Sequence, residues 1–535
     1  MCGIVGWFST TVSPVMVPTT GRRIQHRGPD ASFIQKPTNH SHLEFYRLSI
    51  NGIDDGDQPF TIFPWSVVVN GEIYNTFDLQ KQHKLRMYTR SDCEVIGHLL
   101  VKTTPIQTFS CLDGVYSCIA THLEKRVVVV SRDPFGVRAL YIGKAPGIIG
   151  VASEAKVLHD VCDTVIPFPP GETWIIDLSK VNTGNDIFRC RTRSISKIRH
   201  HIGFSVPGLY PACTMFNEVE QMKYIRTLLE DAVTKRMMIE RKPIGAFLSG
   251  GLDSSLIAAL LVKHVDDPTQ IHTFSIGMAG SPDLAAARTM ATFLKTTHHE
   301  VVVQPQELLD AIPRTVRQLE TWDTTTIRAG CPMLVLSEWI RDNTDVKVVF
   351  SGEGSDELSG SYLYFKNAPS KEAYHDECIR LCKDLHYFDV LRADKCTSYA
   401  GLEVRVPFLD LEFSRQYLRV PPEWRRPQHG VEKYFLRRAF DGFIPDDILW
   451  RTKEAFSDGV STGTSSWHTI IQQHVHNIDQ CDAPPHEKEA RWLLRLFMDQ
   501  YPNHSSLIPY RWLPRFSGEV SDPSARVLSV YNDAT

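Results

Sequence analysis

The heptapeptide Ser249-Gly250-Gly251-Leu252-Asp253-Ser254-Ser255 has residue types and spacing suited to holding phosphate. Glycines let a backbone approach an anion closely, and free amides at a helix start point at it. The hydroxyls of Ser249, Ser254 and Ser255 add donors. A carboxylate, Asp253, has no place against bare phosphate unless a cation such as Mg²⁺ lies between them. The string therefore suggests a nucleotide bound through its phosphates with metal. It lacks the Gly-Lys-Ser/Thr ending of a Walker loop. The plainer reading, a glycine-rich turn, is disfavoured by the flanks: an apolar strand-like run, Pro243 to Leu248, precedes the loop, and a helical run, Leu256 to Val262, follows it.

A second candidate lies at the amino terminus. Once Met1 is removed, Cys2 carries both a thiol and an α-amine with a pKa of about 7.7–8.0. The amine can take the thiol proton, so one residue supplies nucleophile and base. Asn70-Gly71-Glu72 follows the strand-like Ser66–Val69 and offers an amide and a backbone N–H for an oxyanion. Arg47 is suited to a carboxylate and Asp92 to an ammonium. A cation, an anion and an oxyanion hole around a thiol suit glutamine, although each residue taken singly is an ordinary turn or surface residue.

Two different scaffolds must position these groups. The first ~190 residues alternate short β-rich runs, such as Arg126–Val130 and Ala139–Ile142, with turns. After about residue 217 helical runs alternate with strands, which predicts a parallel α/β sheet. The intervening stretch, basic from Arg189 to His201 and then proline-bearing, reads as a linker. The predicted division is 1–190, a linker at 191–216, and 217–535.

A length of 535 residues allows two or more domains. The formal net charge of -4 gives no general electrostatic case for nucleic acid or a membrane surface. Twelve cysteines are scattered without a CxxC pair and read as thiols of a reducing cytosol. No apolar run is long enough to span a bilayer, and the first residues lack the cationic region of a secretory signal.

The motifs together resemble the glutamine-hydrolysing asparagine synthetases. The amino-terminal half is similar to class II glutamine amidotransferase domains in Cys2-Gly3-Ile4, His26-Arg27-Gly28-Pro29-Asp30, Arg47-Leu48-Ser49-Ile50, Asn70 to Asn75, Ser91-Asp92-Cys93-Glu94, Arg132 to Gly136 and Ala152-Ser153-Glu154. The carboxy-terminal half resembles ATP-pyrophosphatase-type synthetase domains. It does so in the Ser249 loop, Ser281 to Leu284, Thr325 to Ala329, Ser351 to Glu357, Glu403 to Asp410, Lys453 to Gly459 and the tail Asp522-Pro523-Ser524-Ala525-Arg526.

The resemblance implies a two-domain α/β and α+β protein. Its first part would be an Ntn-hydrolase-type β-sandwich flanked by helices, and its second a parallel sheet of the adenine nucleotide α-hydrolase-like type with extra helices. It implies that Cys2 attacks glutamine, held by Arg47, Leu48, Ser49, Ile50, Glu72 and Asp92, with Asn70 and Gly71 on the oxyanion. ATP would be held by Leu248, Ser249, Gly250, Gly251, Asp253, Ser254, Ile276, Ser351 and Gly352, with Asp253 and Asp356 on Mg²⁺. Glu353 would support β-aspartyl-AMP formation and proton handling, and Arg328 and Lys453 the charge on the phosphates. Ammonia would pass between the sites through a dry passage. The expected partners are small molecules, with neither nucleic acid nor membrane; a cytoplasmic location and a homodimer are the family-level expectations.

Several positions depart from the family pattern: Arg90 before Ser91-Asp92, Gly330-Cys331 before Pro332, and Ser359 and Ser361 after the acidic cluster. Arg90 puts glutamine affinity in question, and Ser361 would stiffen the loop. Two other readings compete. A β-lactam-forming synthetase or another amidotransferase would act on a different carboxylate, but retention of Cys2, Arg47, Asn70 and Asp92 argues against the former. An inactive nucleotide sensor is disfavoured by the intact nucleophile and phosphate loop.

Overall fold

The computed structural model describes residues 1–11, 18–181, 195–200, 217–240, 243–452, 456–461, 466–479, 481–518 and 520–528. It divides into two compact units. The first holds 1–203 with 239–241 and 398–403; the second holds 204–238, 242–397 and 404–535.

The first unit contains β1 (Gly3–Ser9), β2 (Ala31–Thr38), β3 (Ser41–Arg47), β4 (Phe60–Ile62), β5 (Trp65–Ile73), β6 (Gly114–His122), β7 (Val127–Arg132), β8 (Tyr141–Ala145), β9 (Ile148–Ala152), β10 (Thr164–Pro167), β11 (Glu172–Asp177) and β12 (Ile195–Arg199). They form two six-stranded sheets, β10-β8-β9-β1-β3-β2 and β12-β11-β7-β6-β5-β4. All their pairings are antiparallel. Strand β12 lies inside the stretch that the sequence reading treats as linker.

The valine runs follow from this layering. Val68, Val128 and Val130 meet Ile4, Phe8, Leu43 and Phe45 of the other sheet. Their neighbours Val67, Val69 and Val129 point the other way, against Ile96 and Leu99 of helix Val95–Lys102. Strands covered on both faces lose the apolar/polar alternation. Each such valine contributes about 1.5–3 kcal/mol by burial. The result is a rigid β5 whose end presents Asn70, Gly71 and Glu72.

In the second unit β13 (Ile244–Phe247), β14 (Ile271–Met278), β15 (Thr297–Val303) and β16 (Val348–Phe350) form a sheet ordered β15-β14-β13-β16, with β17 (Glu403–Arg405) last. The pairs β13/β14, β14/β15 and β13/β16 are parallel. Helices Leu252–Lys263 and Pro282–Leu294 connect successive strands. Strand β14 adds to one side of β13 and β16 to the other. This is the switch point at whose carboxyl ends open α/β sheets bind ligands. The loops leaving β13 and β16 begin at Leu248 and Ser351, so the topology places both predicted nucleotide loops side by side. Among the described residues no helix is long and apolar enough to cross a membrane.

Candidate functional site

In the first unit Cys2 sits just before β1, and its Sγ faces the backbone of Leu48. The Leu48 N–H donates to sulfur at 3.5 Å, and the thiol donates to the Leu48 carbonyl at 3.7 Å. Burial pushes the thiol pKa up. The Met1 α-amine is fully buried 3.6 Å from Glu403, and burial lowers its pKa. The recess beside the thiol is lined by Cys2, Arg47, Leu48, Ile50, Gly71, Glu72 and Asp92 of the predicted residues, and by Cys93 and Asn51. Ser49 and Asn70 are buried next to it in sequence without lining it.

Each polar group there has a physical anchor. Arg47 binds Asp57 at 2.6 Å and donates to the Gly52 carbonyl. Glu72 accepts from the Asn51 amide at 2.9 Å. Asp92, on a 3₁₀ turn leading into helix Val95–Lys102, accepts from the Ile73 N–H at 2.6 Å. The Ser49 N–H donates to Asp30 at 2.8 Å. The Asn70 carboxamide is fully buried with neither end hydrogen-bonded among the described residues. A buried amide without a partner is costly, and such a group is suited to a ligand oxygen. At Gly71 a Cβ would lie 2.1 Å from the Val115 carbonyl, so β5 needs glycine there.

His26, Arg27 and Glu154 surround this site without a role assigned from the sequence. Arg27, fully buried, donates to the Cys2 carbonyl at 3.1 Å and to Glu154 at 2.9 Å. Burial alone would raise the Glu154 pKa, but Lys156, His26 and Arg27 hold it well below the usual range. Arg27, held by Glu154, thereby fixes the Cys2 carbonyl, and His26 shares the Glu154 carboxylate. Arg90 is exposed and pairs with Asp54 and Asp55 at 3.0 and 3.3 Å; it does not line the recess.

The second unit contains a larger recess, about 1350 Å³ with its open mouth. Leu248, Ser249, Gly251, Asp253, Ser254, Ile276, Ser351, Gly352, Glu353 and Asp356 all line it. Helix Leu252–Lys263 starts at Gly251 with no side-chain cap, which leaves its first amides for an anion. Gly250, at φ 71°, passes so close to helix Pro282–Leu294 that a Cβ would lie 2.5 Å from backbone atoms of Ala286 and Ala287. A Cβ on Gly352 would lie 2.8 Å from that of Asp253. Gly250 thus lets its loop approach the helix, and Gly352 lets the two loops approach each other.

Charges in this recess are arranged in alternating sets. Lys433, buried, spans Asp253 at 2.6 Å and Asp356 at 2.5 Å. Arg392 holds both oxygens of Glu353 at 2.8 Å and Asp389 at 2.8 Å. Arg451 pairs with Asp283 at 2.7 Å. Burial raises the Glu353 pKa, opposed by Arg392 and assisted by Asp389. Burial, with Asp389 and Asp356, pushes Glu357 higher still. The Ser361 hydroxyl donates to Asp356. Asp253 and Asp356 converge on one cation, the Lys433 ammonium; the pair also suits Mg²⁺, ordinarily held by one or two carboxylates plus phosphate oxygens, once Lys433 yields that position.

Lys433, Arg392, Asp389 and Arg451 are the residues that sequence reasoning missed. Lys433 lies 180 positions from Asp253 and 77 from Asp356, so spacing gave no signal. Arg328 does not line the recess. Its guanidinium is buried and held by Glu489 at 2.6 and 2.9 Å and by Asp522 at 2.9 and 3.1 Å. Lys453 lies outside the described residues.

A thiol recess on a two-sheet sandwich and a phosphate-loop recess on a parallel sheet define a class: an amidotransferase joined to a nucleotide-using synthetase. The glutamine amidotransferase domain profile matches residues 1–169, and the asparagine synthase profile matches 224–377 and 367–512. The chain is 40% identical over 569 aligned residues to the asparagine synthetase [glutamine-hydrolyzing] of Gallus gallus, covering 100% of both chains. It is 38% identical over 572 residues to those of Bos taurus and Homo sapiens, again covering 100% of both. The chain belongs to the glutamine-hydrolysing asparagine synthetase family.

Proposed function

We propose that this chain converts ATP, L-aspartate, L-glutamine and water to AMP, diphosphate, L-asparagine and L-glutamate. In this reading residues 1–190 form the glutaminase domain, 191–216 the linker and 217–535 the synthetase domain. The observation that supports it best is the pairing, in one family member, of a buried Cys2 thiol recess with a phosphate-loop recess holding Glu353.

Cys2 attacks the side-chain amide of glutamine, and ammonia leaves a thioester that water then cleaves to glutamate. Asn70 and Gly71 hold the oxyanion, while Arg47, Leu48, Ser49, Ile50, Glu72 and Asp92 fix the substrate. In the second unit Ser249, Gly250, Gly251, Asp253 and Ser254 hold the pyrophosphate portion of ATP. Leu248, Ile276, Ser351 and Gly352 contact the rest of the nucleotide. The aspartate side chain displaces diphosphate to give β-aspartyl-AMP, because an unactivated carboxylate is a poor electrophile. Ammonia then displaces AMP, and Glu353 manages the proton. Asp253 and Asp356 would hold Mg²⁺, which when bound offsets phosphate charge. Lys433 and Arg451, with Lys453, supply cationic charge at the recess; Arg328 acts indirectly. The reading also has a cytoplasmic homodimer acting on small molecules alone.

The test is product analysis with aspartate, ATP and Mg²⁺, using glutamine or ammonium, for the native protein and Cys2→Ala. Asparagine, AMP and diphosphate from both nitrogen sources in the native protein, with only the glutamine reaction lost in the variant, is the expected result. No asparagine from either source overturns the acceptor assignment.

A further inference from the structure

None of the tail Asp522-Pro523-Ser524-Ala525-Arg526 is among the described residues that line the nucleotide recess. It is nevertheless tied by buried polar bonds to two segments that line the nucleotide recess. The first is helix Thr324–Asn343, which faces the recess with Thr325, Ala329, Met333 and Leu336, the i, i+4, i+8, i+11 stripe of one helix face. Arg328 stands off that stripe, and Asp522 takes its guanidinium in a two-bond fork at 2.9 and 3.1 Å. Glu489 takes two more of its five donors, so two forks fix the guanidinium's orientation.

The same helix is secured at its start. Its cap residue Asp323 accepts from the Thr326 N–H at 2.9 Å and from the Trp512 N–H at 2.7 Å. Trp322 donates to the Ser505 carbonyl at 3.0 Å. The second segment follows Lys453: its Phe456 lines the recess, and its Asp458 accepts from the Ser524 hydroxyl at 3.0 Å. Arg526 donates to the Asp458 carbonyl at 3.2 Å. Asp522 and Ser524 are themselves joined, N–H to carboxylate, at 2.9 Å. A strap three residues long, Asp522 to Ser524, thus ties the helix bearing Thr325 to the segment bearing Phe456.

We infer that Asp522 and Ser524 are positioning residues for the nucleotide recess, acting through Arg328 and Asp458 without touching substrate. Buried, doubly paired charges hold one geometry, and small misplacements at a reacting centre cost rate steeply. This inference rests on the synthetase reading above. It assigns Arg328 a function that does not require it to reach a phosphate.

The experiment measures three quantities on the same full-length preparations: kcat/KM for ATP with ammonium as nitrogen source, glutaminase kcat/KM, and Tm. The variants are Asp522→Asn, Arg328→Gln, their double, and Ser524→Ala. Asp522→Asn is expected to lower kcat/KM for ATP by about tenfold or more. Its glutaminase value should stay within about twofold of native. The double variant should be no worse than the poorer single, because both break one link. Parallel loss of both activities, no loss of either, or additive effects in the double overturns the inference. If Asp522→Asn does not accumulate folded, Ser524→Ala, which removes the bond to Asp458 and the cap on the Arg526 N–H but leaves the Asp522–Arg328 fork, carries the same comparison. If native protein makes no product from ammonium, the synthetase reading fails on its own. The strap is then judged by the Tm shift that ATP and Mg²⁺ produce in native protein and in Asp522→Asn: a smaller shift in the variant supports it and an equal shift overturns it.

Discussion

In the first unit the groups of the recess are mostly anchored to backbone or to amides: the Cys2 sulfur to Leu48, Asp92 to the Ile73 N–H, Glu72 to Asn51. In the second unit charges are anchored to opposite charges: Asp253 and Asp356 to Lys433, Glu353 and Asp389 to Arg392, Asp283 to Arg451. On the proposed function the first recess takes a small substrate carrying one positive and one negative charge, and there only Arg47, paired with Asp57, has to change a charged partner. On the same reading the second receives a polyanion, and its cations would exchange protein carboxylates for phosphate. Preorganised dipoles lose little on ligand entry, whereas paired buried charges must be given new partners.

Breaking the first recess should leave the second at work. Cys2→Ala is expected to lower glutamine-driven synthesis by at least ~10³-fold and leave ammonium-driven synthesis within about twofold. Steady-state rates with each nitrogen source measure this. The converse variant, Glu353→Gln, should lower synthesis from both sources by about 10²–10⁴-fold while glutaminase persists. It also weakens the hold on Arg392, and a stability loss of about 3 kcal/mol should register in urea titration. Equal loss of glutaminase would erase the contrast between the two recesses.

Gly250→Ala sharpens the comparison at the backbone level. The left-handed φ of 71° costs an alanine about 1–2 kcal/mol, and its Cβ would be 2.5 Å from helix backbone. KM for ATP should rise about tenfold with glutaminase unchanged.

The smallest effect concerns pH. Burial, with Arg328 nearby, pushes the His468 pKa down to about 4. Its unfolded value is about 6.5, so between pH 6.5 and 4 the unfolded state binds more protons. The stability from neutral His468 is complete above 6.5 and is lost as pH falls toward 4. His468→Gln should flatten the dependence of Tm on pH in that window, and an unchanged slope would place the linkage elsewhere.

The sequence made local features legible. The Ser249 loop shows its chemistry in seven consecutive residues, and the α/β alternation places it after a strand. The valine run Val67–Val69 marks a strand, but sequence periodicity does not tell that opposite faces bury into different cores. What the sequence hid is assembled across long separations. Lys433 stands in Glu432-Lys433-Tyr434, an unremarkable helix start, and gains meaning only when folding brings Asp253 and Asp356 to its ammonium. Arg328 shows the reverse. The family resemblance implied direct work on phosphate, and in the structure Glu489 and Asp522, far along the chain, take four of its hydrogen bonds. A cationic side chain near a nucleotide in sequence order carries no information about which carboxylate it will meet.

The burial of Met1 bears on how the protein is produced. Met1 is 1% exposed and its amine lies 3.6 Å from Glu403, so a residue added before it would have to displace buried groups beside Cys2. An amino-terminal purification tag, or a host whose aminopeptidase leaves the initiator in place, would therefore yield a preparation that works from ammonium salts and is scored as indifferent to glutamine.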